Sequence, residues 1–314
     1  MGRKFKKSGM KILVGNTGFV GSNLSLNTHF DGLYNSKNIQ KAFGSTPDIL
    51  VYSGVRAEKF LANKEPELDF SIIENAIKNI ERIQPKKIIL ISTVDVYPQA
   101  INVDENTKID KESLQPYGKN RLYLEKWVEE NFDNYLIVRL PALFGENIKK
   151  NFLYDIINII PAMLNETLFQ KYKSYDWIVA NYTKQENGFY KLNSITNTER
   201  ESLKKQFLTI DFSALNFTDS RGIFQFYPLK NLWNDIEMAL SANIKKLNLA
   251  TEPLSVNEIY QAIFNKNFVN EINNEVPHYD FQTVHSKTFG TNEKYILSKK
   301  VVLEAIIQFV KSRK

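Results

Sequence analysis

The chain has 314 residues, 43% of them apolar, with a mean hydropathy of −0.34 and no cysteine. That length can bury one large core or two coupled ones, no window approaches a membrane span, and disulfides and thiolate zinc sites are excluded, which fits a cytoplasmic protein. Of the formal charge of +6, Arg3, Lys4, Lys6 and Lys7 supply four positives within "MGRKFKKSG" (1–9), which reads as a disordered basic leader or expression remnant. The excess elsewhere is small and carries no recognition motif, so no nucleic-acid partner is expected. His29, His278 and His285 follow no ligand spacing, and no metal site is expected.

Over the first 145 residues short apolar runs alternate with longer amphipathic stretches. "KILVG" (11–15), "GLYN" (32–35), "DILVYSG" (48–54), "KKIILIST" (86–93) and "YLIVRLPAL" (135–143) predict strands. The runs are continuously apolar, as parallel strands covered on both faces require. Helices are predicted near 18–28, 65–82 and 117–132; in the last, Leu124, Trp127 and Val128 make a buried stripe at i, i+3, i+4. This alternation predicts a doubly wound parallel sheet. Residues 36–47 leave room for a small helix but not for a further strand and helix.

Beyond 145 the pattern loosens. Helices are expected near 147–163 and 229–242, with a polar, Asn- and Lys-rich stretch at 165–220. "KKLNLAT" (245–251) predicts a late strand, and "SVNEIYQAIF" and "KKVVLEAIIQFV" closing helices. The expected plan is a dinucleotide-binding domain over 10–145, its sheet completed by about 245–265. Residues 146–314 are expected to be mainly a smaller, irregular C-terminal substrate lobe. The aromatics of "IFQFYPLKNLW" (223–233) read as core rather than as a base-stacking platform.

"VGNTGFVGSNL" (14–24) places Gly15, Gly18 and Gly21 between a strand and a helix. There the first glycine permits a tight turn, the second lets a pyrophosphate approach the backbone, and the third lets helix and strand pack closely. Thr17, Phe19 and Val20 complete the loop, whose helix N-terminus offers free N–H groups and a favourable dipole to an anion.

With its GxxGxxG spacing, "GNTGFVGSNL" resembles the extended short-chain dehydrogenase/reductases, the NAD(P)-dependent nucleotide-sugar epimerases, dehydratases and reductases. "ISTVDVYP" is similar to that family's S-[ST]-x-x-V-Y segment, "PYGKNRLYLE" to its Y-G-x-x-K-x-x-x-E helix, "IVRLPALFG" to its R-x-x-x-x-x-G strand, and "LNLATEPLSVNEIY" to its returning strand and helix. The likeness is clear over 10–145, patchy over 215–265 and undetectable over 150–215. It implies a Rossmann-like fold and an oxidoreductase or isomerase on a nucleotide sugar.

The resemblance assigns Tyr117 as the group that exchanges a proton with substrate and Thr93 as the hydroxyl that binds the same oxygen, with Ser92 a substitute. The lysine that lowers the phenol's pKa and grips the nicotinamide ribose is replaced by Arg121. Tyr117 and Arg121 are i, i+4 and share a helix face, but a guanidinium is planar and cannot make a lysine's contacts. Read without the resemblance, Tyr117 is a surface turn residue after Pro116 and Arg121 a solvated helix charge. Val94 and Asp95 follow Thr93 where the 4,6-dehydratases carry Asp-Glu, which argues against dehydration. "EPEL" (65–68) resembles the reductases and equally suits the acidic start of any helix, so keto-sugar reduction is slightly favoured over epimerisation.

No acid ends the second strand to accept a ribose 2′-hydroxyl; Asn35, Ser36 and Lys37 would receive a 2′-phosphate, which favours NADP over NAD, although Lys37 equally reads as an exposed loop cation. Ser53, Gly54 and Val55 are expected along the cofactor's other edge and Pro141 and Ala142 beside the nicotinamide, or as strand-end packing. A nucleotide-sugar substrate and a homodimer are the expected partners, with no membrane. The rival reading is a non-catalytic dinucleotide-binding sensor or scaffold of the same fold, which the arginine at 121 sustains.

Overall fold

The five early apolar runs form β1 (Lys11–Val14), β2 (Gly32–Tyr34), β3 (Ile49–Tyr52), β4 (Ile88–Thr93) and β5 (Tyr135–Leu140) in a computed structural model that describes residues 9–272 and 275–313. The basic leader, Gly9 apart, lies outside the described residues. Strand Lys246–Asn248 joins β5 at the sheet's edge. The order is Lys246–Asn248, β5, β4, β3, β1, β2, and every neighbouring pair is parallel. This is the Rossmann-like, doubly wound sheet that the alternating pattern predicts.

Alternate side chains of each strand feed two cores. Leu13, Val51, Ile89 and Val138 pack with Leu24 of helix α1 (Phe19–Asn27) and with Leu232 and Ile236 of helix Leu232–Ser241. Ile12, Val14, Leu50, Ile88 and Ile137 pack on the other face. Their partners there are Ile73 and Ile80 of α3 (Pro66–Ile83) and Leu124 and Val128 of α4 (Pro116–Asn131), α2 (Lys59–Lys64) standing just ahead of α3. Both faces are therefore dry, which is why the strands are continuously apolar. Trp127 is only half-buried and meets Phe132 edge-on. Between β2 and β3 there is one short 3₁₀ helix, Ile39–Ala42, as the short connection requires.

The described chain divides into two units. One comprises the residues up to Ile148 with Ile223–Leu254 and Pro277–Ala305; the other comprises Lys149–Gly222, Ser255–Val276 and the residues from Ile306 on. Helix Val256–Phe264, expected to help complete the sheet, thus groups with the second unit, while 277–305 groups with the first. The second unit has its own core around Leu164, Tyr172, Ile178, Leu203 and Phe207, under an antiparallel three-stranded sheet formed by Met163–Leu164, Tyr190–Leu192 and Tyr182–Lys184. The helix expected near 147–163 is confined to Phe152–Asn158. Asn147 and Asn151 have φ of 62° and 93°, outside the helical region, and the Asn151 side chain caps the helix that follows.

Phe226 and Tyr227 lie fully inside, in a strand paired with Ala142–Phe144, so the 223–233 aromatics include core residues as expected. No helix among the described residues is long and apolar enough to cross a membrane.

Candidate active site

The sheet reverses its direction of growth between β1 and β3, and the loops at the carboxyl ends of these strands hold the glycine run. Ligands of such sheets bind at this crevice. Gly15 has φ of +95°, and a Cβ there would meet the Ser53 carbonyl oxygen at 2.5 Å. A Cβ on Gly21 would lie 2.1 Å from the Gly15 carbonyl oxygen. These two glycines are required by the loop itself. Gly18 differs: an added Cβ would meet only the Gly15 oxygen, at 3.3 Å, and is otherwise in open space. Gly18 is also the N-cap of α1 and gives it no side-chain cap. The first turn of α1 therefore presents N–H groups beside an open glycine, an arrangement that fits a pyrophosphate. The Phe19 and Val20 side chains pack on the core, so only their backbone is offered, and Thr17 is exposed.

At the end of β2 the Asn35 carboxamide accepts from the Lys37 N–H at 2.9 Å and donates to Asn16 at 3.4 Å, tying this turn to the glycine loop. Ser36 and Lys37 are exposed. The Ser53 hydroxyl donates to the Val14 carbonyl at 2.9 Å, Gly54 is exposed, and Val55 packs against the second core. Pro141 and Ala142 are half-buried after β5, and the Ala142 N–H donates to the Gln225 carbonyl at 3.1 Å.

Thr93 ends β4, and its hydroxyl accepts from the Asp95 N–H at 3.2 Å. Tyr117 stands in the first turn of α4, where Pro116 occupies a position that needs no N–H. Helix and strand end meet closely because residue 118 is glycine: a Cβ there would lie 2.0 Å from the Asp95 carbonyl oxygen. The Thr93 hydroxyl stands near enough to the Tyr117 phenol to pull its pKa down. Tyr117 is only 6% exposed, so it is not a surface turn residue. Burial pushes its phenol above the ordinary value. Arg121 pulls it down, Asp95 pushes it up, and Lys59 and the Thr93 hydroxyl pull it down.

Arg121 is 5% exposed, so it is not a solvated charge. Its guanidinium lies over the Tyr117 ring, 4.0 Å from the centroid. Its Nη1 donates to Asp69 of α3, in a buried ion pair, and its Nη2 to the Arg56 carbonyl at 2.6 Å. Asn120 donates to the same Asp69 oxygen at 2.8 Å. The acid behind "EPEL" is therefore a buried counter-ion, a role that no local pattern reveals.

Several other motif residues converge on one buried network. Arg139 of β5 pairs with Glu125 of α4 at 2.6 Å and donates to the Tyr97 hydroxyl at 2.7 Å, while Asn248 of the edge strand donates to the same hydroxyl at 3.0 Å. The Ser92 hydroxyl donates to Glu125 at 2.5 Å and so is occupied, which leaves Thr93 as the available hydroxyl. This network binds strands to helix and stands apart from the Thr93–Tyr117 pair. Gly145, the end of the "R-x-x-x-x-x-G" run, has a similar structural duty. A Cβ there would meet the Asn23 side-chain oxygen at 2.6 Å, and Asn23 brackets both the N–H and the carbonyl of Glu146.

A model of the NAD dependent epimerase/dehydratase family matches residues 26–181. The chain belongs to this family. No curated protein matches it. Among solved structures, dTDP-4-dehydrorhamnose reductase from Bacillus anthracis, in complex with NADP, superposes with a TM-score of 0.64 at 16% identity, covering 97% of this chain and 99% of that one. WbmG from Bordetella bronchiseptica, in complex with NAD and UDP, gives 0.62 at 12% identity, covering 98% and 95%. UDP-N-acetylglucosamine 4-epimerase from Methanobrevibacter ruminantium gives 0.58 at 13% identity, covering 97% and 98%. These likenesses show a shared fold. The family match continues to residue 181, into the 150–215 stretch where the sequence shows no likeness.

Sequence reasoning missed Asp69 and also Lys59, whose Nζ lies 2.7 Å from Asp95 beside Tyr117. Neither belongs to a motif; only the fold brings them to the site.

Proposed function

We propose that the protein is an NAD(P)-dependent oxidoreductase or epimerase of a nucleotide-activated sugar, with reduction of a keto-sugar favoured. The observation that carries this reading is the Thr93–Tyr117 pair at the carboxyl edge of a sheet whose first loop fits a pyrophosphate. Tyr117 is the proposed proton donor; a phenol is protonated at neutral pH, and burial raises its pKa further above the ordinary value near 10. Thr93 is proposed to hold the substrate oxygen in line with that phenol. A bound nicotinamide would supply the hydride to the carbonyl carbon while Tyr117 delivers the proton to the oxygen. The reductase and epimerase names of the structural neighbours agree with this class.

Asn35, Ser36 and Lys37 are proposed around the adenine ribose, favouring NADP. The 15–21 loop is assigned to the pyrophosphate, Ser53, Gly54 and Val55 to the cofactor's other edge, and Pro141 and Ala142 to the nicotinamide flank. A homodimer and a cytoplasmic location belong to the same proposal. The test is incubation of the full chain with dTDP-4-dehydrorhamnose or a UDP-keto-sugar and either reduced cofactor, with products identified by mass spectrometry. Cofactor oxidation matched by a reduced sugar supports reduction. Interconversion of UDP-hexoses without net cofactor consumption supports epimerisation. Tight cofactor binding with neither reaction would favour the sensor reading, which the engagement of Arg121 by Asp69 keeps in view.

A further inference from the structure

We propose that Lys59 is a second positioning cation of the Tyr117 site, beside Arg121, which is also its structural anchor. This rests on Tyr117 being the proton-transfer group of the proposed function.

A phenol buried beside a strand end needs a cation near it to shed or recover a proton easily. Arg121 weighs more on the phenol than Lys59 does, but it is held in place. Its charge is matched by Asp69 inside the protein, and both terminal nitrogens are committed, one to that carboxylate and the other to the Arg56 carbonyl. It touches Tyr117 through the ring face, at 4.0 Å from the centroid. Such a group fixes a side chain.

Lys59 stands differently. Helix α2 is fastened to the start of α4 by Asn63, one turn after Lys59, whose side-chain oxygen accepts from the Tyr117 N–H at 2.9 Å. The Lys59 ammonium then reaches Asp95 at 2.7 Å, and Asp95 is held next to Tyr117 by the bare Gly118 contact and next to Thr93 by its own N–H. The Tyr279 hydroxyl donates to the same Asp95 oxygen at 3.4 Å. The Lys59 side chain is 46% exposed, whereas Arg121 is buried. The groups acting on the phenol are thus Arg121, whose counter-ion is Asp69, Asp95, Lys59 and the Thr93 hydroxyl, while Asn63 holds the Tyr117 backbone and Tyr279 contacts Asp95. Burial weakens the Lys59 charge, but Asp95 and Tyr279 outweigh it and hold the amine protonated. Asp95 therefore acts as a tether that shares the cation with Tyr117.

The test is a titration of Tyr117 in the full chain, without substrate or cofactor, so that it does not depend on any turnover. Fluorinated tyrosine is incorporated to lower all phenol pKa values into an accessible range and is followed by ¹⁹F NMR; Tyr117→Phe identifies the signal. Lys59→Met is expected to raise the Tyr117 midpoint, and Lys59→Arg to restore it. Asp95→Asn should move it the opposite way, which separates an electrostatic effect from a general loosening of the site. A midpoint unmoved by Lys59→Met, or not restored by Lys59→Arg, overturns the proposal. Lack of turnover with any keto-sugar nucleotide, alongside the expected shifts, would instead refute the proposed function and leave the Lys59 assignment standing.

Discussion

The Arg121 guanidinium lies over the Tyr117 ring, 4.0 Å from its centroid, while it pairs with Asp69. The i, i+4 spacing brings the two side chains together, but the third partner, from α3, decides what the arginine does. Removing one member of a buried pair leaves the other charge uncompensated and typically costs about 3–5 kcal/mol. Asp69→Ala is therefore expected to destabilise the protein by roughly that amount in urea unfolding. Arg121→Lys matches the family pattern in sequence, yet an ammonium cannot reproduce the planar contacts to Asp69 and the Arg56 carbonyl. It should lower the melting temperature without raising turnover; higher turnover would show that the motif outweighs the observed contacts.

The glycines of the 15–21 loop should separate by experiment. Gly18→Val adds a Cβ that meets only the Gly15 oxygen, at 3.3 Å, at a helix N-cap where valine is a poor cap, so the variant should lose a little stability, remain folded and lose affinity for both NADPH and NADH. Gly21→Ala drives a methyl into the Gly15 carbonyl and should lose more stability. Unchanged cofactor affinity in a folded Gly18→Val protein would remove the pyrophosphate assignment.

Lys37 tests cofactor preference. The side chain is exposed in a turn tied to the glycine loop. Lys37→Ala should weaken NADPH binding and leave NADH binding nearly unchanged, with a difference that shrinks as salt is added. Equal losses for both cofactors in fluorescence titrations, or a native preference for NADH, would reject the 2′-phosphate role.

Asp155 offers a stability test in the second unit. Burial pushes its carboxyl up to about 7 from an ordinary value near 3.8. In the unfolded chain it ionises first, so folding loses stability as pH rises from about 4 to about 7 and the deficit is full above that range. Asp155→Asn should melt close to the wild type below pH 4 and at a higher temperature at pH 8, the gap corresponding to at most on the order of 4 kcal/mol. Parallel melting curves across that range would show that the carboxyl is not so buried.

What the sequence displays well is whatever is local. The apolar runs, the glycine spacing and the Pro116–Tyr117 helix start each lie within a few residues, and the structure places them as strands, loop and helix N-terminus. The relationships it hides are between distant elements. Asp69 and Arg121 are 52 residues apart and Lys59 and Asp95 are 36 apart, and neither lysine nor aspartate stands in a pattern that distinguishes it from a solvated charge. The 165–220 stretch fails for another reason. Its strands are at most three residues long, too short for alternation to register, although they cover a core that includes Tyr172, Ile178 and Phe207.

Tyr117 carries the most direct test of the proposed chemistry. Burial, opposed by Arg121 and Lys59, holds its phenol above the ordinary value near 10, so the proton is present throughout the neutral range. Reduction of a carbonyl needs that proton, so turnover in the reductive direction should be steady at neutral pH and fall only when the phenol ionises in alkali. The oxidative direction needs the ionised phenol and should rise over the same range. Tyr117→Phe should cost roughly 10²–10⁴ in turnover and erase both alkaline limbs. Cofactor affinity should persist, because the 15–21 loop does not depend on the phenol. Thr93→Val, which removes the hydroxyl that pulls the phenol down, should reduce turnover and displace the alkaline limb to higher pH. Appreciable turnover in Tyr117→Phe with the alkaline limb intact would assign the proton to another group, and Tyr279, across Asp95 from Lys59, would be the first to replace in turn.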